Sequence, residues 1–93
     1  MGIKAQGVVR PQGAAVASLG AGIHAITIEE ICDDGLIRCT YPDGFVKHHQ
    51  AESVADLLGK VTNQLRGRYG LVDVNFLAVP EFIAAGQSIT VEV

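Results

Sequence analysis

Three histidines (His24, His48, His49) and two cysteines (Cys32, Cys39) are the side chains in this 93-residue sequence best suited to acid–base, metal or nucleophilic chemistry. Their spacing limits them. His48 and His49 are adjacent, and neighbours on a strand point to opposite faces, so the pair cannot readily chelate one ion. No Cys/His set has zinc-like spacing, and Asp33-Asp34 lacks the later ligands and terminal Glu of a calcium loop. No metal is expected. Gly20-Ala21-Gly22 would need a further Gly at the place of Ala25 to resemble a dinucleotide fingerprint, and the residues after Gly22 read as strand rather than helix. With no Gly-Lys-Ser/Thr triplet for a phosphate loop either, no cofactor is expected. Ser18 and Ser53 stand in no nucleophile motif. Arg66-Gly67-Arg68-Tyr69 has the charge and aromatic surface to touch RNA, but a cationic helix end complementing the helix dipole accounts for it more simply.

The elements that must position these residues follow from pattern. Residues 3–10 (IKAQGVVR) form a short first strand, and 11–22 a loop of small residues with room for a helical turn at 14–19. Residues 23–31 (IHAITIEEI) make the clearest strand, rich in Ile and Thr and free of Gly and Pro. Asp33-Asp34-Gly35 and Pro42-Asp43-Gly44 are turns with Gly available for a positive φ. They enclose strands at 36–41 and 45–50, giving a three-stranded antiparallel meander.

Residues 53–69 form the helix. Ser53 caps it, and Asp56 completes an approximate capping box. Val54, Leu57, Leu58, Val61, Leu65 and Tyr69 recur as one apolar stripe, and Gly67 or Gly70 ends it. Residues 71–79 (LVDVNFLAV) give a further strand with Val72, Val74, Phe76 and Ala78 on one face. Residues 87–93 (QSITVEV) alternate as a last one.

Hairpin register places side chains next to one another. Three-residue loops ending in Gly oppose Ile31 with Ile37, Glu30 with Arg38, Glu29 with Cys39 and Thr27 with Tyr41. A two-residue loop would oppose Ile31 with Arg38, which is the poorer pairing. The second turn opposes Arg38 with His48 and Cys39 with Lys47. The core face then reads Ile23, Ala25, Thr27, Ile31, Ile37, Cys39, Tyr41 and Phe45, with Glu29, Lys47 and His49 toward its rim. The other face carries Glu30, Arg38 and His48 in one row. This row is the candidate ligand site, with Arg38 as anion binder and His48 as acid or base. The competing reading is a solvated charge ladder. His24, on an apolar strand, joins the candidate ligand-binding residues. Cys32 and Cys39 fall on opposite faces, so both thiols are expected to be free.

Composition bounds the rest. Hydrophobic residues are 48% and charged residues 18%, which excludes a disordered chain. No apolar run is long enough for a membrane helix, so no membrane association is expected. A net charge of −3 argues against general nucleic-acid binding. No charged segment followed by an apolar one opens the sequence, so a cytoplasmic chain with reduced thiols is expected.

With no Trp and 11 Gly, so short a chain has a thin stability margin. Self-association would widen it. A homo-oligomer, most simply a dimer, is expected. Its interface would be Ile89, Val91 and Val93 on a final strand at the sheet edge.

The fold class is α+β: a mainly antiparallel sheet, made of the meander with an N-terminal and two C-terminal strands, packed on one helix in a single domain. The leading functional expectation is a non-catalytic binding or assembly module engaging a protein partner or small ligand. The alternative is a small acid–base enzyme of isomerase, cyclase or hydrolase type, using a histidine in a sheet–helix or subunit cleft.

Overall fold

A computed structural model describes residues 15–93, and the strand expected at 3–10 lies outside them. The element order is β1 (Ile23–Ile31), β2 (Ile37–Thr40), β3 (Val46–His49), α1 (Val54–Tyr69), β4 (Asn75–Ala78) and β5 (Ser88–Glu92). The strands form one antiparallel sheet in the order β3-β2-β1-β5-β4, an α+β arrangement with the single described helix packed on one face.

Both predicted turns close as glycine-ended loops. Gly35 and Gly44 take φ of 88° and 90°, a region an L side chain enters only at a cost. The Cys32 N–H donates to Leu36 O at 2.8 Å, and the Tyr41 N–H donates to Phe45 O at 2.7 Å, framing three residues in each loop. The second hairpin keeps its expected register, with Arg38 opposite His48, Cys39 opposite Lys47 and Thr40 opposite Val46.

The first hairpin begins in the expected register and then departs from it. Ile31 opposes Ile37 and Glu30 opposes Arg38, but the next pair is Ile28 with Cys39. Glu29 is an extra residue on β1, a β-bulge. A one-residue slip exchanges the faces of everything beyond it. Ile26 and Ile28 therefore enter the core fully buried, and the expected core positions Ile23, Ala25 and Thr27 do not; Ile23 is 66% exposed, and Ile31, on the turn side of the bulge, is also exposed. The physical reason is charge. An unbroken ladder would set Glu29 against Cys39 on the apolar face, and the bulge leaves both Glu29 and Glu30 exposed.

Ile37, Cys39 and Tyr41 lie in the core as expected, with Ile26 and Ile28 beside them and Leu57, Val61, Leu65 and Tyr69 from the helix above. Burying each large aliphatic side chain contributes about 1.5–3 kcal/mol. Ser53 caps the helix: its Oγ accepts from the Asp56 N–H at 3.0 Å. The Asp56 carboxylate accepts from the Glu52 N–H at 3.1 Å, one residue earlier than a capping box requires. Gly70 ends the helix at φ 69°, its N–H donating to Arg66 O.

The C-terminal strands require two corrections. The strand expected over 71–79 is only Asn75–Ala78, with Val72 outside it. The last strand is not an edge. β5 lies between β1 and β4, opposing Ile26 with Ile89 and His24 with Val91. Ile89 and Val91 are consumed by the core of their own chain and cannot form the interface expected of them, while Val93 stays partly exposed beyond the strand.

Candidate functional site

Glu30, Arg38 and His48 stand in one row across β1, β2 and β3, as their register demands. The row lies on the face away from the helix. Arg38 Nη1 is 2.7 Å from Glu30 Oε1, and both side chains are about half exposed (41% and 50%). The guanidinium already has its anion, in a position where water screens the pair. His24 does not join them. It lies near the other end of β1, roughly 20 Å from Glu30 at ~3.3 Å per residue. Its Nε2 is 2.7 Å from Gly20 O.

A second polar constellation, which sequence spacing does not reveal, joins the β2–β3 turn to the end of the helix. Arg68 donates to Asp43 through Nη2 at 2.5 Å and Nε at 3.1 Å, and the Tyr69 hydroxyl donates to the other Asp43 oxygen. The Arg68 guanidinium also lies over the Phe45 ring, 4.0 Å from its centroid. Hydrogen bonds from Arg68 and then Tyr69 hold the Asp43 carboxyl well below the usual carboxylate range. Burial, and then the bond to Asp43, push the Tyr69 phenol up to about 12. Val16 and Ala17 donate their N–H groups to Arg68 O, fastening the segment before β1 to the same point. This is a clasp with its partners matched, and it leaves no free acid or base.

Under it lies the buried pair Tyr41 and His49, joined at 2.7 Å between Oη and Nε2. Burial lowers the His49 pKa, helped by Lys47 and Lys60, and burial raises that of Tyr41. His49 is thus a core histidine rather than the rim residue expected. Both thiols are free. Cys39 is buried, and its thiol is pushed up to about 11 by burial and then by the Glu29 carboxylate, which keeps it protonated and inert. Among the described residues no group of three or more His, Cys, Asp or Glu could hold a metal ion.

The surface differs most from an ordinary one along β4. Val72 is 80% exposed, Phe82 63%, Leu77 47% and Val79 44%, all within one short stretch of chain. Among the described residues β4 is an edge strand, with one side of its backbone unpaired. An open groove of about 320 Å³ continues from it toward the helix start, lined by Glu52, Ser53, Val54, Glu81, Phe82 and Ile83. The other edge, β3, carries exposed Val46, Lys47 and His48. Sequence reasoning places β1, β2, β3 and β5 and overextends β4, but it does not give their order, so it cannot tell which is left at the edge. The signal available is that Val72, Leu77, Val79 and Phe82 fall outside any single alternating pattern.

No described helix is long and apolar enough to cross a membrane. Comparison with protein-family models, with curated proteins and with solved structures returns no match.

Proposed function

We propose that this chain is a small non-catalytic assembly module that works as a homo-oligomer, its copies joining through the edges of the sheet. The observation carrying this reading is β4: an edge strand bearing Leu77 and flanked by exposed Val72, Val79 and Phe82. Natural sheets blunt such edges with charge, Pro, brevity, a bulge or a covering element. β4 is short and bulged at Leu77, but it carries no charge or Pro and leaves its apolar side chains in the open, and such an edge is a site for strand addition. Pro80 follows this strand rather than interrupting it.

The acid–base alternative lacks comparable support. His48 stands on an open face, the His24 Nε2 is engaged with Gly20 O, and buried His49 is closed off by Tyr41.

Light scattering on the purified chain over a range of micromolar concentrations tests the proposal. The expected result is a mass of at least two chains, falling toward one chain for Leu77→Lys, which places a charge on the apolar edge. A wild-type chain that stays monomeric throughout removes the reading.

A further inference from the structure

Resting on that assembly reading, we infer that the copies join head to tail, the β4 edge of one taking the β3 edge of the next. Among the described residues, both edges are four-residue strands at opposite ends of one sheet. Each is separated from β1 by a single antiparallel neighbour, so β3 and β4 run in the same direction. A second copy displaced across the sheet, with its helix on the same face, lays β3 parallel to β4.

Charge selects this pairing over the symmetric ones. β4 itself carries no charge, but Asp73 and Glu81 flank it, both exposed, and Glu92 stands behind it on β5; residues 70–93 contain no Lys, Arg or His. Glu52 adds a further carboxylate along the groove beside Glu81. β3 presents exposed Lys47 and His48, and the nearest strand's Arg38 is matched by Glu30. A two-fold β4–β4 contact would gather the carboxylates of both copies, and a β3–β3 contact would oppose two Lys47 side chains. Like charges across strands destabilise, and opposite charges stabilise. The mixed contact brings Lys47 to the acidic edge and half-exposed Val46 to Leu77 and Val79. Each edge thus rejects its own kind and accepts the other. A heterologous contact of this sort leaves one free edge at each end, so growth stops only if a ring closes.

Mixing variants tests it. Lys47→Glu spoils β3 and spares β4; Leu77→Lys spoils β4 and spares β3. Both positions are exposed, and far-ultraviolet circular dichroism establishes that each variant is folded. The expected masses by light scattering are more than two chains for the wild type, one for each variant alone, and two for their equimolar mixture. Added salt should lower the wild-type mass by screening the opposed charges. If Lys47→Glu alone forms a dimer, or the mixture stays monomeric while the wild type assembles, the head-to-tail contact is wrong and the assembly reading stands. A wild type that is monomeric throughout fails both.

Discussion

Tyr41 and His49 meet inside the molecule, hydroxyl oxygen to Nε2 at 2.7 Å, where both are shielded from water. They come from the residue just after β2 and from the last position of β3, so this bond fastens the meander from within. Tyr69 from the helix packs at a tilt against the Tyr41 ring, with centroids 6.5 Å apart.

Mild acid should loosen the protein through this pair. His49 is neutral in the fold because its pKa lies below the ordinary 6.5, with burial first and then Lys47 and Lys60 as the causes. The unfolded chain therefore binds more protons between the two values. The stabilising contribution is complete above 6.5 and is lost as the pH falls through the folded value. The slope from one proton is at most about 1.4 kcal/mol per pH unit. Thermal melts from pH ~7 to ~5 should show Tm falling in the wild type. A His49→Gln variant should start lower and lack this fall; an equal fall in both would contradict the assignment.

Asp43 works in a lower window. Its carboxyl is held down by Arg68 and Tyr69, so the stability it lends is present above the ordinary 3.8 and is lost as the pH drops below it. Asp43→Asn should abolish this acid step. It should also move the Tyr69 phenol from about 12 back toward 10, since one cause of the rise is the bond to this carboxylate. Ultraviolet titration of the tyrosines is the measurement, and an unmoved Tyr69 would refute the clasp.

Two glycines should respond oppositely to alanine. Gly44 sits at φ 90° with open space where a Cβ would go, so Gly44→Ala costs only backbone strain, about 1–2 kcal/mol. Gly59 lies inside the helix, also with open space around it. There, Gly59→Ala should stabilise by about 0.5–1 kcal/mol by limiting the unfolded chain. Urea midpoints of the two variants should straddle that of the wild type.

The two thiols should also separate. Cys32 is partly exposed and Cys39 buried, its pKa up at about 11. An aromatic disulfide reagent should modify one thiol readily in native protein and the second only with unfolding. Peptide mapping should place the fast reaction at Cys32.

Local devices were legible from residue types alone. Gly35, Gly44, Ser53 and Gly70 all do what their residue types imply, because turns and caps depend on neighbours a few positions away. The register beside each turn was equally legible, for Glu30 does oppose Arg38, and Arg38 does oppose His48. Glu29 marks where this stopped. Two successive carboxylates before Ile31 cannot both avoid an apolar face in an unbroken ladder, and the bulge that resolves the conflict reverses the phase of the β1 residues before it. Order across the sheet was not legible either. Ile89, Thr90 and Val91 alternate in the same way whether β5 lies at an edge or between two strands. The partnership of Asp43 with Arg68 spans the length of the helix and has no local signature.

β1, the central strand, is flanked by partners of very different origin, pairing with β2 close by in the chain and with β5 far along it. Ile23 opposes Glu92, so the middle of the sheet cannot close until residues 88–92 have left the ribosome. Until then the nascent meander must wait with one flank of β1 open. Its slowest step in folding should be that late long-range closure rather than either early hairpin.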